Sequence, residues 1–303
     1  MSFWDHDIEP PKVSFPDIPI PTELDEYLFD LRGYVIITGA LSQTEVGACD
    51  DAIATIPRET PPGGWAGYVY RRDIPIHRGI YYDQIYEAGE GFEKLIDHPS
   101  YINYVLRFVG GGSFDFHHGP LFIDDAIYII RGPGEAVRPH SGAHDRCKRI
   151  QYRYHNGQFF CGQVNVLIAH TDIGPGDGGT MIIPGSHKSN IIHPGHPFRA
   201  GQKVDGGDPD DMAGSLDDMP GAVEVHMKAG DALVFVDACC HGSAKRTNPG
   251  ERRVSIYRYG SAWNRSAGGF EPSAALLERL NPYARSVVHP EQNVNRRPPL
   301  VDA

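Results

Sequence analysis

Between residues 114 and 259 the chain is a succession of short apolar runs separated by turns, and this pattern restricts the available folds more than any other feature. The runs are Ala126 to Ile130, Gln163 to Ala169, Thr180 to Ile183, Ala222 to Met227, Ala232 to Val236 and Val254 to Tyr259. Each has the length of a strand and is bounded by turn-forming residues. Strands at this density without intervening helices predict a β-sandwich or barrel. The 35 Gly and 25 Pro among 303 residues agree, since so many turn formers favour a strand-rich architecture over a helical bundle.

Ahead of this region the pattern differs. Residues 1 to 22, rich in Pro and Asp, predict an extended arm. Glu23 to Leu31 is a short helix candidate, and Gly33-Tyr34-Val35-Ile36-Ile37-Thr38-Gly39 is a β-branched run between glycines, hence a strand. Ser42 with Glu45 three positions on is a helix-start signature, and Val46 to Ile56 continues with helical spacing. Residues 57 to 90 are loop-rich. A helix over Phe92 to Val109 is expected to stop at Gly110-Gly111-Gly112. Residues 191 to 221 are acidic, rich in Gly and Pro and poor in apolar residues, which predicts a long lid-like excursion. Ser273 to Leu280 is a final helix candidate, and residues 282 to 303 form a Pro/Arg-rich tail. No repeat or composition shift marks a second domain, so residues 1–303 are expected to form one.

Charge and cysteine content exclude several functions. With 28 Lys+Arg against 39 Asp+Glu the net charge is −11, which disfavours binding to nucleic acid polymers or anionic membranes. No apolar run approaches membrane-spanning length and the N-terminus lacks a signal-peptide pattern, so a cytoplasmic protein is expected. The five cysteines (Cys49, Cys147, Cys161, Cys239, Cys240) form no CxxC pair and are expected to be buried thiols.

The chemistry centres on His140-Ser141-Gly142 and on His241, about a hundred residues later. Iron that activates dioxygen is commonly held on one face by two histidines and a carboxylate, leaving positions open for a cosubstrate and oxygen. In a strand, residues i and i+2 point to the same side, so a His-x-Asp pair chelates one metal. Here the i+2 position is Gly142, which has no side chain.

From about Phe29 to Tyr259 the chain resembles the phytanoyl-CoA dioxygenase-like family of iron(II)/2-oxoglutarate oxygenases. The resemblance is carried by Gly33-Tyr34-Val35-Ile36-Ile37 with Leu41-Ser42, by Gly178-Gly179-Thr180-Met181-Ile182-Ile183-Pro184-Gly185-Ser186-His187-Lys188, and by His241-Gly242-Ser243 with Arg252 eleven residues after the histidine. It implies a mainly β fold with flanking helices and a double-stranded β-helix (jelly-roll, cupin-like) core. It further implies that His140 and His241 bind iron(II), and that Arg252, helped by Ser243, binds the distal carboxylate of 2-oxoglutarate through a planar guanidinium fork. Arg253 competes with Arg252, because strand alternation lets only one of them point inward. Gln163 and Asn165 share a strand face and are candidates to line the pocket.

Gly142 departs from the family's hydroxylases, in which the third ligand is Asp or Glu. It is similar to the halogenases of the superfamily, in which a small residue frees an iron position for a halide. The chemistry then implied consumes dioxygen, 2-oxoglutarate and chloride: hydrogen abstraction from an unactivated carbon, followed by chloride transfer to the carbon radical. A bent loop bringing Asp145 to the metal restores a hydroxylase, and a non-catalytic cupin-like binding protein is a third possibility.

Arg146, Lys148, Arg149 and Arg153 form a basic cluster after His140, either a solvated loop or a grip for a phosphate or carboxylate. With Phe114, Phe116, Tyr152 and Tyr154 as stacking surfaces or core aromatics, a free small anionic substrate such as a nucleotide is expected. Among the remaining histidines His187 is expected to be structural, and His144 the one near the site.

Overall fold

The helix starts written into the N-terminal sequence form as expected. Thr22 and Asp25 make a reciprocal capping box at the head of α1 (Glu23–Arg32), and Ser42 and Glu45 make another at the head of α2 (Gln43–Ala54). Between them lies β1 (Tyr34–Ile37). These elements belong to a computed structural model that describes residues 17–74, 78–110, 121–134, 136–142, 151–155, 157–196, 216–261 and 270–290.

Three expectations change. The loop-rich stretch 57–90 contains the short strands β2 (Trp65–Ala66), β3 (Val69–Arg71) and β4 (Ile80–Asp83). They are too short to show a period, and the link to the rest of the sheet is distant: β4 pairs with β5 (Phe122–Arg131) through Ile80↔Ile130 and Tyr82↔Tyr128. Arg72 fastens this hairpin to β5, with Nε 2.7 Å from Asp83 and Nη2 2.8 Å from Asp125. The helix expected over 92–109 is two helices, α3 (Glu90–Glu93) and α4 (Ile102–Gly110). Pro99 lies between them; it lacks an amide donor and disfavours helical backbone at His98. Near the C-terminus α5 (Ala274–Arg279) is followed by α6 (Pro282–Val288) inside the expected tail, capped by Asn281 with Pro282 in its first turn.

The remaining strands are β6 (Val137–His140), β7 (Tyr154–His155), β8 (Gln158–Phe159), β9 (Gln163–Ala169), β10 (Thr180–Ile182), β11 (Val223–Val225), β12 (Ala232–Val236), β13 (His241–Ser243) and β14 (Arg252–Gly260). An eight-stranded antiparallel sheet runs β1-β12-β9-β14-β5-β4-β3-β2, and a four-stranded sheet runs β11-β10-β13-β6. The chain alternates between the two sheets, as a jelly roll does, and β7 with β8 forms a separate hairpin.

Strand alternation gives the large sheet two different faces. On β14, Tyr257 and Tyr259 point outward and donate to the carbonyls of Phe92 (2.7 Å) and Leu95 (3.0 Å) under the helical layer. Phe29 of α1 stacks on Phe108 of α4 with ring centroids 3.6 Å apart, sealing the same layer. Arg252, Val254, Ile256 and Arg258, on the alternate positions, face the interior between the sheets.

Among the described residues no helix is long and apolar enough to cross a membrane. Cys49, Cys161, Cys239 and Cys240 are free and buried as expected, while Cys147 lies outside the described residues. So do Phe114, Phe116, Asp145, Arg146, Lys148 and Arg149, together with most of the expected lid, residues 197–215.

Candidate active site

His140 ends β6 and His241 begins β13, and the two are direct cross-strand partners. Their ring centroids are 4.1 Å apart, with the planes inclined by 57°. Close approach of the two strands makes this pairing possible. A Cβ built on Gly242 lies 2.4 Å from the Val137 carbonyl oxygen, so any larger residue pushes β6 away. Between His241 and Ser243 the register shifts against His140 and Val137, a bulge that turns the end of β6 toward the cavity.

Each imidazole is oriented by a backbone carbonyl. Nδ1 of His140 lies 3.1 Å from the Arg138 oxygen, and Nδ1 of His241 lies 2.7 Å from the Cys239 oxygen. A carbonyl only accepts, so both rings carry their proton on Nδ1 and present the Nε2 lone pair. Burial, then the neighbouring His241, pushes His140 down to about 3. Burial also lowers His241, against the opposing pull of Asp237 and the Cys239 hydrogen bond. Two neutral imidazoles with free Nε2 atoms are the donor set a divalent transition metal requires.

The expected His-x-carboxylate geometry is not reproduced. The strand ends at His140, Ser141 has φ 60° and Gly142 has φ 111°, so residue 142 is not held at a strand's i+2 position. A φ of 111° lies outside the regions open to ordinary L-residues, and this turn therefore favours glycine on backbone grounds alone.

A carboxylate does stand near the histidines, on a residue the sequence reading passed over. Oδ1 of Asp237, just past the end of β12, is 4.0 Å from Nε2 of His241. It accepts from Asn165 Nδ2 at 2.9 Å, and Asn165 Oδ1 accepts from Gln163 Nε2 at 3.1 Å. Burial works to raise the Asp237 carboxyl, but His241 and Arg258 hold it below the usual carboxylate range. Asn165 lines the cavity, while Gln163 donates to Asn165 and does not line it. Among the described residues no three His, Cys, Asp or Glu side chains already stand in metal-holding positions.

From the histidines a cavity of about 120 Å³ runs between the sheets to Arg252, past Leu167, Phe235 and Ser243. The Nε of Arg252 is buried and has no hydrogen-bond partner among the described residues. Burial, then the charge of Arg131, lowers Arg252 to about 10, which leaves it cationic at neutral pH. Arg131 is its cross-strand partner on β5 and donates to Ser243 Oγ. An orphaned guanidinium donor beside a second buried arginine fits the carboxylate end of a dicarboxylate. Arg253 takes the opposite face, as alternation requires, and pairs with Asp50 of α2 at 2.8 Å.

Other expected residues lie elsewhere. Arg153 is exposed, with its guanidinium 4.6 Å from the Phe160 ring centroid. Tyr152 donates to Asp30 and packs on His187, and Tyr154 packs edge-on against Phe159; neither lines the cavity. His187 is structural as expected, with Nε2 3.0 Å from the Asp30 carbonyl. Arg131 and Arg258 are cavity-lining residues missed in sequence, and Asp237, beside His241, is a third neighbour of the site that was missed. The visible signal for Asp237 was an acid directly after a fully apolar run and four residues before His241.

The phytanoyl-CoA dioxygenase (PhyH) family model matches residues 29–254. The dioxygenase cdmD of Talaromyces verruculosus is 26% identical over 241 residues, covering 71% of this chain and 66% of the relative, so the chain spans just under two thirds of that protein. HygX from Streptomyces hygroscopicus, solved with nickel and 2-oxoglutarate bound, is similar with a TM-score of 0.62 at 21% identity, covering 80% of this chain and 88% of the other. The non-heme alpha ketoglutarate dependent carbocyclase SnoK from nogalamycin biosynthesis is similar with a TM-score of 0.52 at 17% identity, over 80% and 85% of the two chains. These structural likenesses establish the jelly-roll fold. With three quarters of its length under the family model, the chain belongs to the phytanoyl-CoA dioxygenase family of iron(II)- and 2-oxoglutarate-dependent oxygenases.

Proposed function

We propose that this protein oxidises an unactivated C–H bond of a free small molecule, using iron(II) bound by His140 and His241 and 2-oxoglutarate bound by Arg252. The carrying observation is a cavity with two carbonyl-oriented imidazoles at one end and, at the other, a buried arginine whose Nε has no partner among the described residues. Bound iron and cosubstrate supply the oxidising power, coupled to decarboxylation of 2-oxoglutarate to succinate. The chain's own residues do the positioning. The carbonyls of Arg138 and Cys239 keep Nε2 of both histidines unprotonated, Ser243 and Arg131 support Arg252, and the apolar wall of Leu167, Phe235, Val254 and Ile256 limits water.

Substrate access is assigned to a groove of about 380 Å³ on the Gly142 side, between Pro184–Ser186 and Ile191–His196. The described start of the acidic excursion therefore walls this groove, which supports the lid reading of residues 191–221 in a single catalytic domain spanning 1–303. The nucleotide reading loses Tyr152, Tyr154 and Arg153 as contacts, so the substrate is assigned only as a small molecule.

Hydroxylation balances as R–H, O₂ and 2-oxoglutarate going to R–OH, succinate and CO₂. Chlorination, the reading favoured by the absent side chain at Gly142, takes up chloride and a proton as well and releases R–Cl and water. The test incubates anaerobically iron-loaded enzyme with 2-oxoglutarate, oxygen and candidate small molecules, with and without chloride. Substrate-dependent succinate formation supports the oxygenase reading, and product mass separates added oxygen from substituted chlorine. Protein that binds neither iron nor 2-oxoglutarate is a cupin-like binder, and the reading falls.

A further inference from the structure

One arginine of the cavity, Arg258, has no part in holding the iron or the cosubstrate. We infer that Arg258 binds a carboxylate of the substrate at the histidine end of the cavity, so that the molecule oxidised is a small carboxylic acid with an apolar body. The inference rests on the oxygenase reading above and deepens it by naming the substrate class.

Three observations carry it. The first is position. Arg252 and Arg258 both line the cavity from alternate positions of β14, and six residues of strand separate them by about 20 Å. A five-carbon diacid anchored at Arg252 is far shorter than that. Arg258 belongs to the histidine end: its partner on β9 is Asn165, and while burial does most to lower His140 and His241, the Arg258 charge works in the same direction on both. Access differs as well, since Arg252 is 5% exposed and the Arg258 side chain 27%. The second is spare bonding capacity. Nε of Arg258 is buried with no hydrogen-bond partner among the described residues. Its ion pair with Asp125 is loose, with Nη1 3.8 Å from an oxygen that Arg72 already holds at 2.8 Å. Arg72 also takes both oxygens of Asp83, and Asp237 accepts from Asn165, so each carboxylate around Arg258 is engaged elsewhere. The β14–β5 register shifts between Arg258 and Tyr259, an irregularity of the kind that re-aims side chains beside a site. A guanidinium with open donors matches a carboxylate through two parallel charge-assisted hydrogen bonds. The third is the surface around it. Phe235 and Ile256 line the cavity, and Ile183, Pro184, Ile191 and Ile192 wall the groove on the Gly142 side. Apolar walls with one convergent cation hold an acid by its head and bury the rest.

The experiment loads the full chain anaerobically with cobalt(II) and saturating 2-oxoglutarate, then titrates benzoate, cyclohexanecarboxylate and the methyl ester of each. Paramagnetic relaxation of the probe protons reports binding close to the metal, with zinc-loaded protein as the diamagnetic blank. The parent is compared with Arg258→Met, Arg258→Lys and His241→Ala, and metal-free melting curves show which variants are folded; Arg258→Gln carries the same test if the methionine variant melts early. Expected is relaxation of both acids in the parent, with each acid bound about tenfold or more tighter than its ester. Arg258→Met removes that preference without changing cobalt or 2-oxoglutarate affinity, and Arg258→Lys keeps part of it. Equal binding of acids and esters in the parent, no relaxation of either acid, or a preference that survives Arg258→Met overturns the assignment while leaving the oxygenase reading intact. A tenfold loss of 2-oxoglutarate affinity in Arg258→Met gives the guanidinium to the cosubstrate and also overturns it. If the parent binds no more cobalt than His241→Ala, the oxygenase reading itself fails.

Discussion

Replacing Arg252 with methionine isolates the feature that distinguishes this cavity from an ordinary β core. The guanidinium is buried, its Nε has no partner among the described residues, and Arg131 stands opposite it across the β14–β5 ladder. A carboxylate held by a guanidinium fork gains two charge-assisted hydrogen bonds worth about 1.5–3 kcal/mol each. Arg131 and Ser243 remain in the variant and retain part of the attraction, so the expected loss is about 3–4 kcal/mol. At 1.4 kcal/mol per decade this is a hundredfold to several hundredfold rise in the dissociation constant for 2-oxoglutarate, read by calorimetry on the cobalt-loaded protein. The ligand-free protein responds in the opposite sense. Two neighbouring buried cations repel, and replacing one with an apolar side chain of similar length removes both repulsion and a desolvation cost, so the metal-free variant melts no lower than the parent. Arg253→Met is the control: its partner is Asp50 on the outer face, both side chains are about one-third exposed, and the expected effects are at most about 1 kcal/mol of stability and no change in 2-oxoglutarate affinity. Arg252→Met binding 2-oxoglutarate as tightly as Arg253→Met refutes the assignment of the cosubstrate site.

Further outcomes follow from other parts of the molecule. Gly142→Ala is expected to destabilise by about 1–3 kcal/mol in denaturant unfolding because of its φ of 111°. Gly242→Ala should separate β6 from β13 and weaken cobalt binding, because its Cβ meets the Val137 oxygen at 2.4 Å; unchanged affinity shows that the strands yield without moving His140. Burial lowers His170 to about 3 and His187 to about 4, both below the usual 6.5. The unfolded chain then takes up protons first as pH falls, so this stability is present above about pH 6.5 and is lost progressively toward pH 4; His170→Gln should flatten the slope by up to about 1.4 kcal/mol per pH unit across that window. Phe29→Ala, removing a fully buried ring stacked on Phe108, should cost about 3–5 kcal/mol in the same assay.

Much of the framework was legible in sequence because its determinants are local. The two capping boxes need only residues three apart, and the apolar runs of β9, β12 and β14 announce themselves by composition. Alternation along β14 required that Arg252 and Arg253 part company, and only the packing of α2 with Asp50 decided which of them faced outward. The short strands β2 to β4 were invisible because two to four residues show no period, and the pairing that ties them into the sheet, β4 with β5, joins positions far apart along the chain.

The sequence by itself carried the strand-rich pattern, the His140 and His241 pair and the glycine at position 142, because these depend on residue type, order and spacing, and its family resemblance implied the jelly-roll core. The tertiary structure alone decided what accompanies them. Asp237 reaches the histidines because β12 in the large sheet delivers the chain directly to β13 in the small one. Arg131 reaches Arg252 because β5 and β14 are neighbours despite a separation of more than a hundred residues. Side chains that meet only through sheet pairing leave no local pattern, which is why the Asp237 carboxylate near His241 was not visible in sequence.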